Sequence, residues 1–165
     1  MLPGQLLKTV PLALLSGLAL AAAPLRPYCN PRFGSCVSVP SKLRAMPPPE
    51  NGDGLRWESA NGGVSVTAWG SFGPEGLGLK TTRQYADWLL SAEKQDGSRV
   101  TYRFVGRNFV VLSGHNRAGQ VFYQKSLLRA GGESAVRTEY PPRLKSEWDA
   151  RATQIAASLT APNAP

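Results

Sequence analysis

The chain has 165 residues, 42% of them apolar, and its 19 lysines and arginines outnumber 11 acids for a net charge of +8. That length fits one domain with a core large enough to stand alone, and two cysteines exclude a disulfide-scaffolded miniprotein. The spread positive charge implies affinity for acidic surfaces in general, such as nucleic acid, anionic lipid or polyanionic glycans, and nothing finer.

In chain order, Lys8 precedes the apolar run Pro11–Leu20, and Ala19-Leu20-Ala21 supplies the small-x-small exit that signal peptidase reads. The run is too short for a permanent membrane helix. Residues 1–21 therefore read as a cleavable signal peptide, leaving 22–165 as a single α+β domain with a short flexible C-terminal tail, secreted or periplasmic in the cell envelope. Cleavage takes one cation, Lys8, from the net +8 and leaves +7, and no later stretch is apolar enough for a transmembrane segment.

Cys29 and Cys36 are the only cysteines. A lipid anchor requires small residues before the cysteine, whereas Arg26-Pro27-Tyr28 precede Cys29. Zinc wants four ligands at characteristic spacings, and a thioredoxin-type pair has two residues between its sulfurs rather than the six found here. A structural disulfide around the Asn30-Pro31 turn remains, which an oxidising compartment permits.

Ser35–Val39 reads as a first strand, and the proline- and glycine-rich segment 41–54 as a loop. Leu55–Ser59 and Val64–Trp69 flank Asn61-Gly62-Gly63 as a hairpin, and 70–79 is a glycine-rich loop. From Thr82 the period turns helical through Tyr85, Trp88, Leu89 and Ala92, which predicts a helix over 82–94. Arg99–Val105, Phe109–Leu112, Gln120–Leu128 and Ala135–Tyr140 read as four antiparallel strands. After Pro141-Pro142 the stripe Leu144, Trp148, Ala152, Ile155, Leu159 marks a C-terminal helix. The order βββ-α-ββββ-α implies an α+β fold, an antiparallel sheet of about six to seven strands with helices on both faces. The unbroken run Phe109–Leu112 suggests a central strand covered on both sides.

The stretches "YCNPRFGSCVSVP", "PPPENGDGLRW", "VTYRFVGRNFVVLSG", "FYQKSLL" and "YPPRLKSEWDARATQIAASL" resemble small secreted bacterial proteins of uncharacterised function, some of which carry the same cysteine pair. The architecture is similar to the PsbP-like fold, named for an extrinsic subunit of photosystem II and shared with a Ran-binding nuclear import factor. The resemblance spans nearly the whole mature chain but rests on fold-keeping residues. It implies an antiparallel sheet with helices on both faces, and it tilts the functional reading toward a binding or assembly module rather than an enzyme.

Each candidate chemical site has a plainer explanation. Gly73–Thr81 lacks the spacing and strand-to-helix context of a phosphate loop, and Asn51–Gly54 lacks the first and last carboxylates of a calcium loop. His115, the only histidine, has no nucleophile elbow to serve. No catalytic residue, metal set or cofactor is assigned. Glu50, Asp53, Glu58 and Glu75 leave room for a carboxylate pair, which makes a small extracellular hydrolase acting on glycan or cell wall the alternative. Trp57, Trp69, Trp88 and Trp148 read as core residues. If Val100, Tyr102 and Phe104 face inward, Arg99, Thr101 and Arg103 face outward, with Arg107, Arg117 and Lys125 nearby as a candidate anion-binding patch. The expected function is a non-enzymatic binding or accessory module acting through its surface on an unknown protein or polyanion partner, with no specific nucleic-acid motif.

Overall fold

The computed structural model describes residues 23–161. The export signal read over 1–21 and the tail from 162 lie outside the described residues. Strands β1 (Leu25–Cys29) and β2 (Cys36–Pro40) form a two-stranded antiparallel sheet. Strands β3 (Arg44–Ala45), β4 (Gly54–Glu58), β5 (Ser65–Ser71), β6 (Arg99–Val105), β7 (Phe109–His115), β8 (Val121–Arg129) and β9 (Gly132–Tyr140) form a seven-stranded sheet in the order β3-β4-β5-β9-β8-β7-β6. Between β5 and β6 lie the single turn α1 (Gly73–Gly76) and the helix α2 (Thr82–Gln95), and α3 (Lys145–Ala157) is the last helix among the described residues.

Both predicted helices form. Thr81 caps α2: its hydroxyl accepts from the Gln84 amide at 3.1 Å, and the Gln84 side chain accepts from the Thr81 amide at 3.2 Å, satisfying two orphan donors. Tyr85, Ala86 and Leu89 then pack on Val110, Leu112, Phe122 and Leu128. On the opposite sheet face Trp148, Ala152, Ile155 and Leu159 pack on Val66, Val121, Val136 and Tyr140, and Val37, Val39 and Leu43 extend this larger core under the β1-β2 hairpin. Cys29 and Cys36 pair across that hairpin in a disulfide, with their Cα atoms 4.0 Å apart. Asn30 orders the enclosed loop by accepting from the amides of Arg32 and Phe33 at 2.9 and 2.8 Å.

The structure corrects three expectations. First, the strand read as first, at Ser35–Val39, is the second, because Leu25–Cys29 precedes it as a strand despite Arg26 and Pro27. Leu25–Cys29 lies in a solvent-edged ribbon, where proline costs no ladder bond that matters. Secondly, β7 is next to the sheet edge, and the central strand is β9. Its face toward α3 is conventional, with Val136 and Tyr140 in the core, while its face toward α2 carries Glu133 and Arg137. Thirdly, strict alternation fails in β6. Val100 pairs with Gly114 and Tyr102 with Ser113, so Thr101 is the extra residue of a bulge and every later side chain changes face. Val100 and Val105 pack toward α2, whereas Tyr102 and Phe104 are 51% and 46% exposed on the other side.

Candidate functional site

Helix α2 crosses the β6–β8 part of its sheet face and stops short of β5. A groove of about 620 Å³ opens between helix and sheet, with the α1 turn on its far side. That volume lies within the range of small-ligand clefts. Its apolar walls are Trp69 from β5, Leu77 after α1, and Trp88, Leu89 and Ala92 from α2. Its polar floor comes from Ser71, Gln124, Glu133 and Arg137, with Tyr85 and Glu93 reaching in from the helix.

Register explains the charged floor. On β9, Glu133, Ala135, Arg137 and Glu139 alternate onto the α2 face, and β8 and β5 place Gln124 and Ser71 beside them. Arg137 is the hub. Its guanidinium donates to both oxygens of Glu93, to Gln124 Oε1 at 3.1 Å and to Glu139 Oε1 at 3.0 Å, and lies 4.0 Å from the centroid of the buried Phe122 ring. Glu133 is only 3% exposed. Its Oε2 accepts from Ser71 Oγ at 3.0 Å, while its buried Oε1 has no hydrogen-bond partner in the protein. Burial, and then the charge of Glu133, pushes the Tyr85 phenol far above its ordinary pKa, so it stays a neutral donor. Two lining carboxylates, Glu93 and Glu133, against one guanidinium give the groove a formal negative charge, to which Glu139 behind Arg137 adds, in a chain whose net charge is positive.

The candidate residues read from the sequence fall elsewhere. Arg103 turns toward α2 and pairs with Asp87 at 2.7 Å, a consequence of the bulge. Arg99 opens β6, and Arg117 lies beside it in the β7-β8 turn with its stem against Gly97. Arg107 is at the other end of β6, where its carbonyl accepts from Thr82 Oγ1 at 2.8 Å. Lys125 lies on the α3 side of the sheet, over the Phe109 ring at 5.5 Å. The five cations are thus divided between two sheet faces and two strand ends. Among the loop carboxylates, Glu58 is paired with Arg56 at 2.7 Å, Asp53 accepts from Asn51 Nδ2 at 2.8 Å, and Glu75 faces the Gly131 amide. None of the four lines the α2 groove. His115 ends β7 opposite Val121, with a buried Nδ1 that has no partner.

Two tryptophans are core residues as expected, Trp57 and Trp148. Trp69 and Trp88 instead wall the groove, and Trp88 is 41% exposed while stacked on Tyr85 at 5.6 Å. A smaller cleft of about 280 Å³ lies against α3, but its polar groups satisfy one another. Tyr140 and Lys145 both donate to Asp149, at 2.7 and 3.2 Å.

Among the described residues no three His, Cys, Asp or Glu side chains gather as a metal site would need, and no helix is long and apolar enough to cross a membrane. No protein-family model and no curated protein matches the chain. Among solved structures, the solution structure of cyanobacterial PsbP (CyanoP) from Synechocystis sp. PCC 6803 superposes with a TM-score of 0.61 at 11% identity, covering 92% of this chain and 99% of that one. The seven-stranded antiparallel sheet with helices on both faces is a PsbP-like fold.

Proposed function

We propose that the protein is a non-enzymatic binding module working outside the cytoplasm, and that the groove beside α2 is its working surface. One observation carries the reading: the central strand of the sheet presents Glu133 and Arg137 to a concave, tryptophan-walled cleft. Well-packed apolar residues there would serve stability at least as well as buried charges, and we read the retained charges as functional on that ground. The disulfide suits an oxidising compartment, in keeping with the export signal read over 1–21. Hydrolysis by a carboxylate pair is disfavoured, because Glu93 is held by Arg137 on both oxygens and leaves Glu133 as the one unpaired acid.

Protein exported by its host is expected to begin near Ala22 and to show no free thiol until reduced, by intact mass and thiol titration. A photoreactive phenylalanine analogue at position 88 should form adducts during growth, while the same group at position 143, beside α3, should form few. Equal yields from both positions would remove the groove as the working surface.

A further inference from the structure

The groove's charge and its one unsatisfied atom specify a ligand chemistry. Glu133 lines the cleft at the centre of the sheet with the neutral Tyr85 phenol beside its carboxylate, and its Oε1 is buried with no donor in hydrogen-bonding geometry. Every other charged group on the floor is already matched. Arg137 is shared between Glu93, Gln124 and Glu139, and Glu139 also accepts from Asn116 Nδ2 at 3.1 Å. An unpaired buried carboxylate oxygen costs free energy that a charge-assisted donor recovers. The walls facing it are two indoles, Trp69 and Trp88, with Leu77 and Leu89 completing an apolar sleeve. Indole faces attract cations and cover apolar stems.

We propose that the groove binds a primary ammonium carried on an apolar or aromatic stem, with the nitrogen donating to Glu133 Oε1 and the stem lying between Trp69 and Trp88. This rests on the groove being the working surface and adds the class of ligand. The negative floor repels anionic ligands and favours a cation over a neutral alcohol of the same shape. Oε1 is out of solvent reach, so entry requires the mouth to yield. Leu77 and Trp88 are the exposed lining side chains that can turn aside. A quaternary ammonium has no N–H and fills the sleeve without satisfying Glu133.

The test is an NMR titration of the oxidised mature protein with phenethylamine, 2-phenylethanol and phenethyltrimethylammonium, followed at the indole N–H signals of Trp69 and Trp88. Phenethylamine should shift both signals saturably and bind at least tenfold more tightly than either analogue. Acetyl-Gly-Lys-Gly-amide, titrated alongside, distinguishes a peptide side chain from a free amine as the source of the ammonium. Glu133→Gln, which keeps shape and the Ser71 contact, should lose at least tenfold in phenethylamine affinity with its amide spectrum otherwise preserved. Ala92→Trp, which fills the cleft and leaves Glu133 intact, should abolish binding and serves as the second variant if Glu133→Gln unfolds. Equal binding of the alcohol, or full affinity in either folded variant, overturns the proposal. Cross-linking from position 88 without any amine binding would sink the ligand class and leave the groove standing, whereas absence of both would sink both.

Discussion

At Gly70 of β5 a Cβ would lie 2.3 Å from the Phe33 ring, so glycine there is what lets the cysteine loop sit down on the sheet. Gly70→Ala should cost about 1–3 kcal/mol, the range for overpacking a fitted contact, read as a lower urea midpoint at unchanged m-value. Lys125 makes the opposite kind of contact. It is half-buried on the α3 side of the sheet, and burial lowers the pKa of its ammonium. A lowered folded-state value means that the charged form costs stability at neutral pH. The cost is relieved as pH rises through that value toward the ordinary lysine pKa of ~10.4, since the unfolded chain then holds a proton that the folded chain has released. Lys125→Met should therefore raise the urea midpoint at pH 7 and flatten the gain in stability that the parent shows above neutrality.

Among the elements, the β1-β2 hairpin is tied down at two levels. The disulfide closes its tip, and its second strand exchanges backbone bonds between Cys36 and Thr160 at 3.0 and 2.9 Å. Cys36→Ser should lower stability by about 2–3 kcal/mol without loss of the sheet, measured by denaturant unfolding with circular dichroism to check the fold. The elements the sequence revealed were those with local signals: the Asn61-Gly62-Gly63 turn, with Gly62 at φ +68°, and the helical period through Tyr85, Trp88, Leu89 and Ala92 that marks α2. Those it hid depend on partners. The bulge at Thr101 has no signature of its own, because one extra residue in a ladder shows only when the opposite strand is counted. The groove was illegible for the same reason: Glu93 and Arg137 are 44 residues apart and meet only through the sheet. One signal was available, since β9 sets Glu133, Arg137 and Glu139 on a single face, a pattern that fits a solvated strand or a functional cleft.

For the molecule as a whole, positive charge is a property of the surface and negative charge of the groove. Because Arg103 is already paired with Asp87 and Lys125 lies on the other sheet face, replacing Arg103 and Arg107 by serine should weaken heparin binding no more than replacing Arg143 and Arg151. Fluorescence anisotropy at two salt concentrations checks this, both pairs giving the same shallow salt slope. The strand order carries a further implication for how the chain acquires its shape. β9, the last strand among the described residues, is the one that joins β3-β4-β5 to β6-β7-β8, pairing Ser65 with Glu139 on one side and Val121 with Tyr140 on the other. Until it arrives, β5 and β8 each present a bare edge, and the N-terminal hairpin still awaits Thr160. Closure through contacts this distant in sequence slows folding, so a chain that has not yet docked residues 132–140 keeps two unfinished half-sheets whose bare edges are open to pairing with other chains.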